Sequence, residues 1–182
     1  MNWYKKAQQI YRGDPDLMDF EKYDSEHGTK ELGKQLGSSL ANGPGIYFSN
    51  TEKEAQGYGQ NISKFNLSNA NILNPQSKKL TYQQINKILS GIDKEKMETA
   101  ATNWDENYNI GKRMLIESIL NNENVIEQLM GIWANVFYHQ NPNAFMELMT
   151  KNKIDGIAVP QKSLWHPEGA VHYIIYNKGI LK

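Results

Sequence analysis

The stretch GPGIYFSNTEKEAQGYG, residues 43–59, combines a tight turn, a short strand and a capped helix. Its opening glycines and proline predict a turn, and residues 46–48 are strand formers. The motif T-x-x-E at residues 51–54 is typical of a helix capping box, and Gly57 and Gly59 predict the end of that helix. We therefore predict a strand–loop–helix unit around which the chain is organised. The residues able to cap its helix are Ser49, Asn50 and Thr51.

Two tyrosines lie at key points of this unit, Tyr47 on the strand and Tyr58 at the end of the helix. Aromatic rings that converge from a strand and a helix end can clamp a flat ring, and neighbouring glycines let backbone groups approach it. Both tyrosines could equally be half-buried packing residues. The spacing alone leaves the two interpretations open.

The same stretch resembles the G-x-G-I-Y-F-(S/T/A)…A-x-x-Y-(G) segment of ADP-ribosyltransferases of the diphtheria-toxin and poly(ADP-ribose) polymerase type. In that family two tyrosines at this interval sandwich the nicotinamide of NAD, so the resemblance implies that role for Tyr47 and Tyr58. Ala55 stands where many polymerase-type members have a serine that bonds the nicotinamide amide. We therefore expect weaker or altered recognition of NAD.

A second match lies near the start of the chain, where IYRG at residues 10–13 resembles the first core strand of the family. The resemblance implies that the backbone of Gly13 bonds the nicotinamide amide and that Arg12 contacts a ribose or phosphate of NAD. A guanidinium suits that role because it offers several fixed donors to anionic oxygens. Without the resemblance, Arg12 would be interpreted as a solvated charge at a strand edge.

The third match, KIDGIAV at residues 153–159 and HYIIYN at 172–177, resembles the end of the family domain. There a strand opens on a catalytic glutamate, which holds the ribose 2′-hydroxyl and stabilises the oxocarbenium-like centre. This chain has His172 at that position, and a neutral imidazole can accept a hydrogen bond but stabilises a cation less well. Glu168 in the preceding loop is a possible substitute. Glu168 could also be a solvated loop charge, and His172 a structural strand residue.

The middle of the chain has apolar residues at helical spacing from 81 to 151, which predicts three or four helices. Candidate helix starts are Thr81, Asp93 and Asn143, and Pro142 blocks continuation of the preceding helix. Strands are predicted around 9–13, 46–48, 62–67, 70–73, 157–159 and 171–176, and a short helix at about 29–36. We expect an α+β fold. The resemblance implies a split β-sandwich of two small antiparallel sheets, in one domain spanning 1–182 with a helical bundle inserted at 80–152.

Composition excludes several classes of function. Twenty basic residues balance twenty acidic ones, so no global field recruits nucleic acid or an anionic membrane. Cysteine is absent, which excludes disulfides and cysteine-ligated zinc, and we predict no metal site. With no secretion signal and no apolar run near the roughly 18 residues of a membrane span, we expect a soluble, cytoplasmic monomer. If the chain is phage-encoded, that location is the host cytoplasm.

The resemblance as a whole implies a mono-ADP-ribosyltransferase. It would use NAD as its substrate, release nicotinamide and modify an unknown protein or nucleic-acid acceptor. A small member of this type suits a phage effector or a toxin-like regulator. The alternative is a catalytically inactive module of the same fold that binds NAD, ADP-ribose or a protein, and a third interpretation is a helical interaction protein.

Overall fold

A mixed six-stranded sheet is the frame of this computed structural model, which describes residues 9–17, 43–67, 69–161 and 169–181. The strand order is β3-β1-β2-β6-β5-β4. All neighbouring strands are antiparallel except β4 and β5, which are parallel. The strands are β1 (Gln9–Asp14), β2 (Ile46–Ser49), β3 (Asn61–Asn66), β4 (Ile72–Leu73), β5 (Gly156–Pro160) and β6 (Val171–Ile175).

The α+β class and the mainly antiparallel pairing agree with the sequence analysis. The number of sheets differs, because the described strands form one sheet where two small ones were expected. Strand β2 joins the two halves, since Ser49 lies opposite Tyr11 of β1 on one side and opposite His172 of β6 on the other. The start of β6 is thereby held beside the end of β2.

The middle of the chain contains five helices, one more than the upper limit of the three or four predicted from the sequence. A short α1 (Glu52–Ala55) follows β2, and a 3-10 turn (Lys178–Ile180) follows β6. Five helices occupy the predicted insert: α2 (Tyr82–Leu89), α3 (Lys94–Thr102), α4 (Tyr108–Leu120), α5 (Val125–Phe137) and α6 (Pro142–Lys151).

The capping predictions for these helices have mixed outcomes. Thr81 caps α2 in a full capping box with Gln84, and Asp93 caps α3. Asn143 was wrong as a helix start, because α6 begins at Pro142 after Asn141. Asn141 adopts a left-handed conformation, φ 54°, which asparagine tolerates better than most residues. Proline fits the first helical position because its missing N–H has no intrahelical acceptor there.

One continuous apolar core connects the helices to the sheet. Phe145 of α6 is fully buried and makes edge contacts with Trp133, Phe137 and Tyr176, with ring centroids 5.3–5.7 Å apart. Because Tyr176 follows β6 directly, this aromatic cluster fastens α5 and α6 to the strand that carries His172. The aromatic cluster therefore contacts the chain at the C-terminal end of β6, and His172 lies near the N-terminal end of the same strand.

Some expectations concern residues that are not described. The helix predicted at about 29–36 and most of the loop that precedes β6, including Glu168, lie outside the described residues. Within the described ranges, no helix combines the length and apolar character needed to cross a membrane.

Candidate functional site

The end of β1 packs directly against α1 at Gly13. A Cβ at this position would lie 2.0 Å from the carbonyl oxygen of Ala55 and 2.8 Å from that of Gly59. The contact is reciprocal, because a Cβ on Gly59 would lie 2.1 Å from the carbonyl carbon of Asp14. Only glycine permits this backbone approach, so the two glycines fix α1 and the turn after it over the edge of the sheet.

The start of β6 is tied to the end of β2 by Asn50. The backbone N–H of Asn50 donates to the carbonyl of Val171, and its side-chain oxygen accepts from the Val171 N–H at 3.0 Å. Its side-chain amide also donates to the carbonyl of Gly169 at 3.1 Å. These bonds, with the pairing of Ser49 and His172, fix where the His172 side chain emerges.

A buried carboxylate occupies the space between α1 and these two strands. Glu54 is 8% exposed. Its Oε2 accepts a hydrogen bond from Ser49 Oγ at 2.5 Å, and its Oε1 lies 3.0 Å from His172 Nε2. A carboxylate removed from water is destabilised unless it is hydrogen-bonded, and Glu54 is hydrogen-bonded through both of its oxygens. The cluster Ser49–Glu54–His172 thus joins residues far apart in the sequence.

The capping motif at residues 51–54 forms only in part. Thr51 Oγ1 accepts from the Glu54 N–H at 3.3 Å, which confirms Thr51 as the cap. In a complete capping box the Glu54 side chain would accept from the Thr51 N–H. That N–H donates instead to Ser49 Oγ at 3.2 Å, while the Glu54 carboxylate contacts Ser49 and His172.

The two tyrosines differ in environment. Tyr58 lies in the turn after α1 and is 53% exposed. Partial burial, followed in size by the negative charge of Glu54, raises the pKa of Tyr58. Its backbone N–H donates to the carbonyl of Ala55, the residue after Glu54, at 2.9 Å. Tyr47 on β2 is half-buried against the core, and its hydroxyl donates to the carbonyl of Gly43 at 2.6 Å.

Arg12 on β1 is held in one orientation. Its Nε lies 2.9 Å from both carboxylate oxygens of Asp14, and its Nη2 lies 2.8 Å from one of them. Its Nη1 donates to the carbonyl of Tyr47 at 3.1 Å. The Arg12 and Asp14 side chains are only 14% and 6% exposed, so this ion pair is largely removed from water.

The predicted site residues therefore fall on neighbouring elements. His172 belongs to the cluster Ser49–Glu54–His172, and Gly13 packs against Ala55, the residue after Glu54. Tyr58 lies in the turn after the same helix, and Arg12 and Tyr47 are linked by a hydrogen bond on the adjoining strands. Their contacts with NAD stay predictions, as does the role of Glu168, which lies outside the described residues. Among the described residues, no group of three or more histidine, aspartate or glutamate side chains is placed to hold a metal ion.

Sequence reasoning missed Glu54 and Ser49 as site residues. Glu54 was interpreted only as part of a capping motif, and Ser49 only as a possible cap. The sequence does contain a signal for each residue. Glu54 is an acidic residue one helical turn after the cap, and Ser49 is a serine at the end of the strand before it. His172, the partner of Glu54, is 118 positions away, so the pairing could not be deduced from local pattern.

Comparisons with known proteins add no relative to these observations. No protein-family model, curated protein or solved structure matches this chain.

Proposed function

We propose that this protein is a mono-ADP-ribosyltransferase that transfers ADP-ribose from NAD to a macromolecular acceptor and releases nicotinamide. The observation that carries the proposal is the half-exposed ring of Tyr58, in the turn that directly follows the helix of the buried Glu54. The nicotinamide ring of NAD is a flat cation. An aromatic face next to a negative charge favours such a ring through both cation–π and Coulomb attraction.

The other predicted residues complete a pocket for NAD in this proposal. Tyr47 would line the nicotinamide position from β2, and the backbone of Gly13 would bond the nicotinamide amide. Arg12 would contact a ribose or phosphate. Its guanidinium is already oriented by Asp14 and by the carbonyl of Tyr47, so binding would cost it little rotamer freedom.

The reaction follows from the charge of the leaving group. The bond between C1′ of the ribose and the nicotinamide nitrogen breaks, and its electron pair returns to the ring, which becomes neutral. A lone pair of the acceptor forms the new bond at C1′, and the acceptor loses its proton to a base or to water. Positive charge develops on the ribose in the transition state, so a fixed negative group nearby lowers the barrier.

The second candidate is an inactive module that binds NAD, ADP-ribose or a protein in the same place. It is favoured by one observation, the imidazole of His172 at the position where the resemblance implies a glutamate. Under this candidate Tyr58 and Glu54 would still attract the nicotinamide ring. Binding would occur without release of nicotinamide.

Labelled NAD distinguishes the two candidates. The purified protein is incubated with NAD labelled in the nicotinamide ring or in the adenine, alone and with a cell lysate. Free nicotinamide and transfer of the adenine label to macromolecules are scored beside His172→Ala and Glu168→Ala. We expect release and transfer by the wild type and a strong loss in at least one variant. Saturable NAD binding without turnover would replace the transferase with the binding module, and absence of NAD binding would contradict the transferase and leave only a module for ADP-ribose or a protein.

A further inference from the structure

Glu54 is buried in a way that its helix does not require. Its side chain is 5% exposed, yet α1 has its cap from Thr51, and the Thr51 N–H is satisfied by Ser49 Oγ. A glutamate in the first turn of a helix ordinarily lies in solvent, where the helix dipole already favours it. The burial of Glu54 therefore calls for a cause outside the helix, and its contacts lead to His172.

The contact between Glu54 and His172 defines the orientation of the imidazole ring. An ionised carboxylate only accepts hydrogen bonds, so His172 Nε2 must carry the proton that it shares with Glu54 Oε1. A neutral ring then has its lone pair on Nδ1. The hydroxyl of Ser49 holds the other carboxylate oxygen, which prevents Glu54 from turning away.

The two side chains differ in their exposure to solvent. The His172 side chain is 14% exposed and that of Glu54 is 5% exposed. A bound molecule would therefore meet the imidazole more readily than the carboxylate. A carboxylate behind a histidine is a familiar arrangement that fixes the tautomer and stabilises positive charge on or near the ring.

We propose that Glu54 is a positioning residue of the transferase, which holds His172 by Nε2 and supplies the negative charge that the resemblance implies at position 172. This inference rests on the proposed function. While the C1′–nicotinamide bond breaks and its electron pair moves to the ring, the pair Glu54–His172 orients the ribose through the imidazole and offsets the developing charge through the carboxylate. Neither group forms a covalent bond.

The test compares Glu54→Gln with Glu52→Gln in nicotinamide release from NAD. Glu52 lies on the same helix and is exposed, so it is the matched control. We expect Glu54→Gln to lower kcat roughly 10- to 100-fold with a small change in KM for NAD, because the charge matters most in the transition state. Glu52→Gln should leave both constants unchanged. Ser49→Ala, which keeps the charge and removes one hydrogen bond, should cause a smaller loss of kcat.

A double variant separates a functional charge from a structural contact. In Glu54→Gln combined with His172→Glu, the negative charge moves to the strand, and the amide introduced at position 54 can donate to it. We expect this variant to recover most of the lost kcat, which a packing defect would not do. Thermal unfolding of every variant identifies any that fail to fold. If Glu54→Gln is among them, the kcat of Ser49→Ala is compared with that of the wild type instead.

The possible results distinguish the positioning role of Glu54 from the proposed transferase activity. An active wild type with equal kcat in Glu54→Gln and Glu52→Gln would overturn the role of Glu54 and leave the transferase intact. A loss in Glu54→Gln that the folded double variant does not recover would make Glu54 a structural residue. A wild type that binds NAD but releases no nicotinamide would overturn the proposed function, and the positioning role with it.

Discussion

The helical block α2–α6 and the corner where β1, β2, α1 and the start of β6 meet are stabilised in different ways. Helical side chains that face inward are mostly apolar and many are fully buried, as Phe145 is. Of the four polar residues buried in the described part of the chain, three lie in the corner, Asp14, Ser49 and Glu54, and one in the block, Gln128. Regions that place polar groups out of water at a stability cost are commonly those that act on ligands. The helical block thus contributes mainly to stability, and the corner is where we propose that the chemistry takes place.

The largest expected effect is on stability, from Phe145→Ala in the helical block. The ring is fully buried and contacts three other rings, so its removal leaves a cavity. We expect the free energy of unfolding to fall by about 3–5 kcal/mol. Denaturant unfolding measures it, and Ile110→Ala at a 40% exposed site of α4 is the control, with an expected change within about 0.5 kcal/mol. An equal loss in both variants would contradict the assigned core.

Gly13→Ala tests the corner through its backbone packing. The new methyl group would collide with the carbonyls of Ala55 and Gly59, so α1 must move away from the sheet. We expect a loss of about 1–3 kcal/mol in unfolding free energy, together with weaker NAD binding. Gly57→Ala is the matched control in the same turn, because its Cβ would meet nothing closer than the Glu54 carbonyl at 3.2 Å. A folded Gly13→Ala protein with unchanged NAD affinity would weaken the link between this packing and the pocket.

The two regions also differ in how much of them the sequence predicts. Helices and strands follow from local periodicity and caps, as Thr81 and the strand at 62–67, observed at Asn61–Asn66, illustrate. Helix α3 was easier to miss because its buried residues are Met97 and two alanines, which give a weak apolar pattern. The single sheet depends on pairing between distant strands, which no local pattern specifies.

In the corner, the sequence predicts which positions belong to the site more readily than it predicts their hydrogen-bond partners. His172 was recognised as a departure from the family motif, and the structure pairs it with Glu54. The two residues of that contact are separated by more than half of the chain, so the contact depends on the tertiary fold. Arg12 was expected to face a ligand, and its main described partner is Asp14, two residues further on. Hydrogen-bond partners depend on side-chain orientation, which the sequence does not give.

Tyr58→Ala should weaken the binding of NAD and leave the stability of the corner nearly unchanged. The ring is 53% exposed and contributes little to the core. Loss of one cation–π contact should weaken NAD binding roughly 3- to 30-fold. Tyr82→Ala, at a 40% exposed tyrosine on α2, is the control for removing a surface ring and should bind NAD normally. Calorimetric titration measures both variants, and equal affinities would contradict the role of Tyr58.

The smallest effect is expected where the helical block meets β6, at Tyr176. Its hydroxyl is buried and has no hydrogen-bond partner among the residues that the structure describes. An unpaired buried hydroxyl is destabilising, so Tyr176→Phe should raise the free energy of unfolding by about 1 kcal/mol at neutral pH. Tyr47→Phe is the opposite case, because that hydroxyl donates to Gly43, and it should lower stability. A destabilised Tyr176→Phe protein would show that the hydroxyl has a favourable contact.

The same residue predicts a pH dependence. Burial, with a smaller contribution from Tyr47, raises the pKa of Tyr176 in the folded protein above its ordinary value of 10.0. Below pH 10 the phenol is protonated in both states and contributes no slope. Above it only the unfolded chain releases the proton, so wild-type stability falls relative to Tyr176→Phe by about 1.4 kcal/mol per pH unit. Denaturant unfolding at pH 9, 10 and 11 would show a constant difference if Tyr176 titrated normally.

Turnover of NAD by the unmodified protein is the measurement that separates a transferase from an inactive module. Purified wild type is titrated with NAD labelled in nicotinamide, and bound label and released nicotinamide are measured in the same samples, with Tyr58→Ala and Tyr82→Ala beside it. We expect saturable binding and steady release by the wild type and by Tyr82→Ala, and weaker binding by Tyr58→Ala. Absence of nicotinamide release by the folded wild-type protein, with or without binding of NAD, would contradict the transferase.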